Sequence, residues 1–242
     1  MNAKLKAATM KAMKIHGLVK LTLIDYPGKT ACTLFTGGCN FRCPFCHNAG
    51  LVLSPGNEPV VSEEEIFSYL SKRRGILDGV CLTGGEPLLF EESASLLARI
   101  KSMGFLVKLD TNGSFPERLQ SIVEKGYVDY VAMDIKNSLE SYGRTIGIEG
   151  YDTRPIEQSV SFLLEGRTDY EFRTTVVREL HSLEDFHSIG KWIAKARSYY
   201  LQAFADSGNI IEKGLSAYSK NEMEGIRKLL ETYIEAVYLR EQ

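Results

Sequence analysis

Apolar residues along the chain follow two alternating rhythms. Residues 30–38, 79–85, 105–113, 127–136, 170–177 and 199–206 are short runs with the length and composition of strands. Between and after them, residues 62–74, 92–104, 115–126, 154–166, 182–196 and 219–240 read as helices. Ser62 with Glu65 three residues on reads as a capping box opening the first helix, and Gly104 as the stop of the second. Six strand–helix units predict a parallel sheet covered by helices, and a doubly wound sheet or a barrel-like curve satisfies that order equally. In both, functional groups gather where strands end. The clusters TGGC (36–39), TGGEP (83–87), DTNG (110–113) and DIK (134–136) each end or follow a strand, so the pattern predicts that they converge on one mouth.

Residues 127–136 repay a reading with period two. Tyr130, Ala132, Asp134 and Lys136 share one face, expected to point into the interior, and Val131, Met133 and Ile135 share the other, expected to pack under helices. Asp134 and Lys136 then stand about 7 Å apart at the mouth. Buried charge is costly unless paired or bound, so these residues form either a structural ion pair or part of a ligand site.

Composition narrows the class. The chain has 242 residues, 44% hydrophobic and 25% charged, with a formal net charge of −2. That is a globular enzyme's balance, without the basic excess of a dedicated nucleic-acid binder. No stretch reaches the ~18 consecutive apolar residues of a membrane span. The basic, alanine-rich start lacks the apolar core of a signal peptide, so a cytoplasmic protein with no membrane or nucleic-acid partner is expected. Residues 1–12 are expected to be a flexible tail, and 13–242 a single domain.

In a reducing compartment five cysteines do not imply disulfides. Three of them, Cys39, Cys43 and Cys46, fall within eight positions. Zinc with His47 as fourth ligand is one reading, but Cys46 and His47 are adjacent, poor spacing for one tetrahedron. CPFCH matches a haem-attachment motif and CPFC a redox dithiol, yet both leave Cys39 over, and no helix-forming run is evident after Cys46. A [4Fe–4S] cluster uses all three. Cys32 and Cys81 lie within strands, below the loops, and read as small buried hydrophobes. One iron is then left open to a ligand, which points to a catalytic cluster.

Cys-x3-Cys-x2-Cys after a first strand, followed by GGEP after a second, resembles the radical S-adenosylmethionine (SAM) enzymes. Within them, LTLIDYPGK (21–29), FTGGCNFRCPFCHN (35–48), DYVAMDIK (129–136), FRTTVV (172–177) and YLQAF (200–204) are similar to glycyl-radical enzyme activases, in particular the group acting on anaerobic ribonucleoside-triphosphate reductase. Asp25-Tyr26-Pro27-Gly28, otherwise a turn, departs from the D-G-P-G of the pyruvate formate-lyase activators. Residues 47–61 hold no cysteine, so one cluster is expected.

The resemblance implies an α/β fold, a partial (β/α)6 TIM-like barrel. It implies one [4Fe–4S] cluster on Cys39, Cys43 and Cys46, reductive cleavage of SAM, and hydrogen abstraction from a partner glycine. It places Phe45, Cys46, His47, Gly84, Gly85, Glu86, Asp110, Asp134, Lys136 and Arg173 around SAM, with Lys136 also in a catalytic role. Some members bind a monovalent cation near the aspartates. The implied partners are a glycyl-radical enzyme and a low-potential electron donor such as ferredoxin or flavodoxin. A radical SAM enzyme with a small-molecule substrate is the alternative.

Overall fold

The computed structural model describes residues 13–240. The expected tail, 1–12, lies outside them. The chain runs β1 (Ile15–Thr22), β2 (Ala31–Thr36), α1 (Ala49–Leu53), α2 (Glu63–Lys72), β3 (Gly79–Gly84), α3 (Glu92–Ser102), β4 (Leu106–Thr111), α4 (Pro116–Glu124) and β5 (Tyr130–Asp134). It continues α5 (Tyr142–Thr145), α6 (Arg154–Leu164), β6 (Asp169–Val176), α7 (Leu183–Trp192), β7 (Tyr199–Ala203), α8 (Lys220–Leu230) and β8 (Val237–Arg240). The six expected strands are β2 to β7.

All eight strands form one sheet in sequence order. β1 pairs antiparallel with β2, and every later neighbour pairs parallel. The order never reverses, so the sheet has no topological switch point, and the barrel-like course holds over the doubly wound one.

Two strands escaped the sequence reading. β1 is an irregular edge strand with two register shifts against β2. β8 was expected as the end of one long helix, 219–240. Instead α8 stops at Leu230, and Val237–Arg240 add a parallel strand to β7. A short helix, α1, also follows Cys46 where none was expected. At α2, Ser62 Oγ accepts from the Glu65 N–H at 3.1 Å, half of the expected box. Reciprocal boxes open α7 and α8 instead, at Ser182/Asp185 and Ser219/Glu222.

Alternation along the strands sorts the two faces. Leu34, Leu82, Leu109 and Val131 lie level across four strands, all fully buried in the main core. Each such side chain contributes about 1.5–3 kcal/mol of burial. Val131, Met133 and Ile135 join that core, as period two predicted. The opposite face is polar. Glu171, fully buried, accepts from Arg240 at 2.8 Å to each oxygen and from the Tyr130 hydroxyl at 2.9 Å. Asp25-Tyr26-Pro27-Gly28 is a turn, closed by Lys29 N–H on the Tyr26 carbonyl. It inserts Tyr26 against Ala31 and Cys81 near the starts of the strands. Among the described residues no helix is long and apolar enough to cross a membrane.

Candidate functional site

The four polar strand ends do converge. At the C-terminal ends of the parallel strands they line one open cavity of about 240 Å³. Cys39, Cys43, Cys46, Phe45 and His47 form one wall, Gly84 and Gly85 another, and Asp110, Asp134, Lys136 and Arg173 the floor.

The cysteine loop follows β2 directly, and backbone packing fixes its path. Gly38 (φ +84°) and Gly84 (φ +118°) adopt a conformation that side chains disfavour. A Cβ on Gly85 would collide with the Gly38 carbonyl, and one on Gly84 with the Thr36 backbone. The two glycine turns are therefore packed backbone to backbone. Gly85 N–H donates to Thr36 O at 2.9 Å and Glu86 N–H to Gly38 O at 2.8 Å. Those amides are engaged within the protein, so carbonyl oxygens and open space are what this strand end offers an ammonium-bearing ligand.

At Glu86 the resemblance implies a backbone contact, and the side chain has a different place. Its carboxylate does not line the cavity but is fully buried behind it, accepting from Leu88 N–H, the Thr111 hydroxyl and Asn112 N–H at 2.7–2.9 Å. Burial raises its pKa to about 7 against the pull of those hydrogen bonds. Glu86 thus ties the end of β3 to the end of β4. Asn112 then reaches over to Asn40 Oδ1 at 3.0 Å and lies 3.8 Å from Cys39 Sγ. The sequence reading passed over Asn112, although it sits inside the DTNG cluster. It also passed over Asn48, which donates to Gly84 O at 2.8 Å, and Arg42, which donates to Cys39 O at 2.6 Å.

The floor is a chain of five alternating charges. Lys108, 2% exposed at its side chain, pairs with Asp110 Oδ1. Arg173 bridges Asp110 Oδ2 at 3.1 Å and Asp134 Oδ1 at 2.5 Å, and Lys136 meets Asp134 Oδ2 at 2.8 Å. All four carboxylate oxygens therefore hold a cation of this chain. A monovalent metal ion beside these aspartates would have to displace Lys108, Arg173 or Lys136. Burial pushes the Asp134 carboxyl up, but Arg173 and Lys136 more than offset it and hold the group below the ordinary range. Asp110 is held down likewise, by Arg173 and Lys108 against burial. Three cations against two anions leave one surplus positive charge, suited to a ligand carboxylate.

The thiols face that surplus. Burial pushes Cys39 to about 12 and Cys43 to about 11, and Lys136 pulls both back toward thiolate. Phe41 N–H donates to Cys39 Sγ at 3.3 Å. Among the described residues no three His, Cys, Asp or Glu side chains form a closed site for a single metal ion. Three soft thiols on one wall, with an amide donor and a nearby ammonium, fit an iron–sulfur cluster. Cys32 and Cys81 are buried in two separate apolar clusters. Lys136 Nζ lies 5.8 Å from the Phe45 ring centre, and His47 Nε2 is 2.6 Å from Ala205 O. His47 therefore lines the cavity and also holds the loop after β7.

Comparison with known proteins agrees. A putative glycyl-radical enzyme activating enzyme of Methanocaldococcus jannaschii is 32% identical over 237 residues, covering 96% of this chain and 97% of that one. The pyruvate formate-lyase 1-activating enzyme of Escherichia coli K12 is 25% identical, covering 91% and 96%. In fold, the chain is similar to Streptococcus suis SuiB bound to S-adenosylmethionine (TM-score 0.64, 14% identity, 85% of this chain and 48% of that one). It is also similar to a domain of the pyruvate-formate lyase-activating enzyme of Bacteroides vulgatus (TM-score 0.55, 16% identity, 66% and 98%). Residues 33–187, which run from β2 through the cysteine loop into α7, match the radical SAM superfamily, and to that superfamily the chain belongs.

Proposed function

We propose that this chain is a glycyl-radical enzyme activase whose partner is an anaerobic ribonucleoside-triphosphate reductase. The observation that carries the reading is the shared cavity. Three thiols and a cation-rich floor face one another across a glycine-lined strand end, in a chain similar over nearly its whole length to a putative glycyl-radical activase.

Cys39, Cys43 and Cys46 would hold one [4Fe–4S] cluster, and the glycine wall, Asp134, Lys136 and Arg173 would hold SAM. When bound, the two supply one-electron chemistry that ends in removal of a hydrogen atom from carbon. The chain's own residues orient and shield. Arg173 and Lys136 present positive charge to a carboxylate, while Asp110 and Asp134 keep both cations in place. Phe45 and His47 offer ring faces beside the thiols. Lys136 also stands in the field of the thiolates and stabilises their charge, its catalytic part in this reading. A monovalent cation joins the site only by displacing a chain cation from an aspartate.

The substrate side rests on the sheet. It begins at β1 and ends at β8, and among the described residues these two strands are not paired with each other. That unclosed side supports entry of a polypeptide loop. The electron comes from a low-potential donor such as ferredoxin or flavodoxin in the reducing cytoplasm.

The test is anaerobic reconstitution, followed by electron paramagnetic resonance on mixtures of reduced protein, SAM and the host's own glycyl-radical enzymes. A glycyl doublet on the reductase supports the assignment. A doublet on pyruvate formate-lyase alone keeps the activase and changes the partner. SAM consumption with a small molecule and no doublet replaces the reading with the small-molecule alternative.

A further inference from the structure

Most polar side chains lining the cavity are engaged within the protein. The floor charges hold one another, Asn48 holds Gly84, Asn112 holds Asn40, and His47 holds Ala205. Among the described residues, Thr83, Thr175 and Gln202 line the cavity without a side-chain hydrogen-bond partner. Thr83 adjoins the glycine wall. Thr175 and Gln202 stand apart from it, directly opposite each other in the β6–β7 ladder.

They share the cavity with the expected cofactor site but lie on its β6–β7 side, Thr175 two residues beyond Arg173. Gln202 is level with Arg240 of β8, the last strand of the sheet. Beside the pair, Tyr200 and Tyr238 stack at 4.9 Å, and the Arg240 guanidinium lies 3.7 Å from the Tyr200 ring centre. This flat stack lies at the edge of the sheet, where Tyr238 is 48% exposed.

Their chemistry selects a neutral ligand. A carboxamide offers a donor and an acceptor at once, and a hydroxyl offers both from one atom. A main-chain peptide group presents the complementary N–H and C=O. An anionic group would be drawn to the floor, where the surplus positive charge lies.

We propose that Gln202 and Thr175 bind the main chain of the glycine-bearing segment of the partner, fixing the glycine over the cavity, with the cofactors between the cysteine loop and Gly84–Gly85. The proposal rests on the activase reading and assigns that reading its peptide subsite. Recognition through the main chain brings the backbone close, a fit for a residue with no side chain.

The experiment uses reconstituted wild type, Gln202→Leu, Gln202→Asn and Thr175→Val under anaerobic conditions. Fluorescence anisotropy measures binding of labelled synthetic peptides spanning the C-terminal glycine regions of the host's reductase and pyruvate formate-lyase. Calorimetry measures SAM affinity. Gln202→Leu should weaken peptide binding about tenfold and Thr175→Val about threefold, the scale of one lost neutral hydrogen bond each. Gln202→Asn, which keeps the carboxamide, should recover part of the loss, and SAM affinity should stay within about twofold. Unchanged peptide affinity in Gln202→Leu and Thr175→Val overturns the proposal. So does a loss of SAM affinity with peptide binding intact, which assigns the pair to the cofactor. If wild type binds none of these peptides while retaining SAM, the activase reading fails and the subsite with it.

Discussion

Replacing Arg173 with Met tests the charge chain at its centre. Among the described residues Arg173 is the one cation that touches both Asp110 and Asp134, and its side chain is 14% exposed. Met keeps much of the stem and removes the guanidinium. Each carboxylate then loses one of its two cations, and the five-group chain falls from one surplus positive charge to neutral. The hydrogen bond to Asp134, a charged group, contributes about 1.5–3 kcal/mol, and the ion pair to Asp110 is lost with it. Breaking a buried pair by removing one partner costs about 3–5 kcal/mol. For a chain of this size that is a fall in Tm of roughly 6–20 °C.

The pH dependence separates this cause from simple loss of packing. In the wild type both carboxyls are held below the ordinary range, so their contribution is present above a pH of about 4 and is lost only as pH falls through the depressed folded values. In the variant, burial acts with less opposition, and the carboxyls take up protons at higher pH. Protonation relieves the uncompensated charge, so the gap between wild type and variant should narrow as pH falls from 7.5 toward 4.5. Differential scanning fluorimetry at both pH values, with iron content measured alongside, reads this directly. A gap that stays constant with pH, or a fall in Tm below about 2 °C at pH 7.5, would refute the argument that Arg173 neutralises this pair.

Further outcomes can be checked alongside. Ala at Cys39, Cys43 or Cys46 should abolish the iron-dependent absorbance of reconstituted protein, whereas Cys32→Ala and Cys81→Ala should keep about four irons per chain. Gly85→Ala should reduce cluster retention as well as SAM affinity, because the added Cβ meets the carbonyl one residue before Cys39. Normal iron content in that variant would show that the cysteine loop yields easily. Glu86 carries a folded pKa of about 7, above its unfolded value near 4.3, so it binds a proton on folding between those values. Its contribution should rise as pH falls from 8 to 5.5, and Glu86→Gln should flatten that slope in chemical denaturation.

What the sequence made legible was periodic or clustered. The alternation of Val131, Met133 and Ile135 with Ala132, Asp134 and Lys136 assigned both faces of β5, because one face meets helices and the other the cavity. β8 was hidden because the helical pattern of 220–230 runs into TYIEAVYLR with no glycine or proline to mark the break. β1 was hidden because its register slips twice against β2 and breaks the alternation. For Glu86 the motif was visible but the direction of the side chain was not, since a carboxylate after two glycines looks the same whether it faces a ligand or ties two strand ends. Lys108 could have been read from spacing. It stands two residues before Asp110 on one face of a strand, where a charge needs a partner.

The seam between the two glycine turns also bears on how such a protein can change. Where backbone lies against backbone, no neighbouring side chain can shrink to admit a new one. A first substitution at Gly84 or Gly85 must push the two turns apart, since the added Cβ meets the backbone of Thr36 or of Gly38, and the gap it opens reduces the cost of the second. The two sites should therefore be epistatic: the double alanine variant should lose less stability than the sum of the single variants. Drift at this seam must pass through a damaged intermediate, so the cysteine loop and the neighbouring strand end should change only together, even though 45 residues of sequence lie between Cys39 and Gly85.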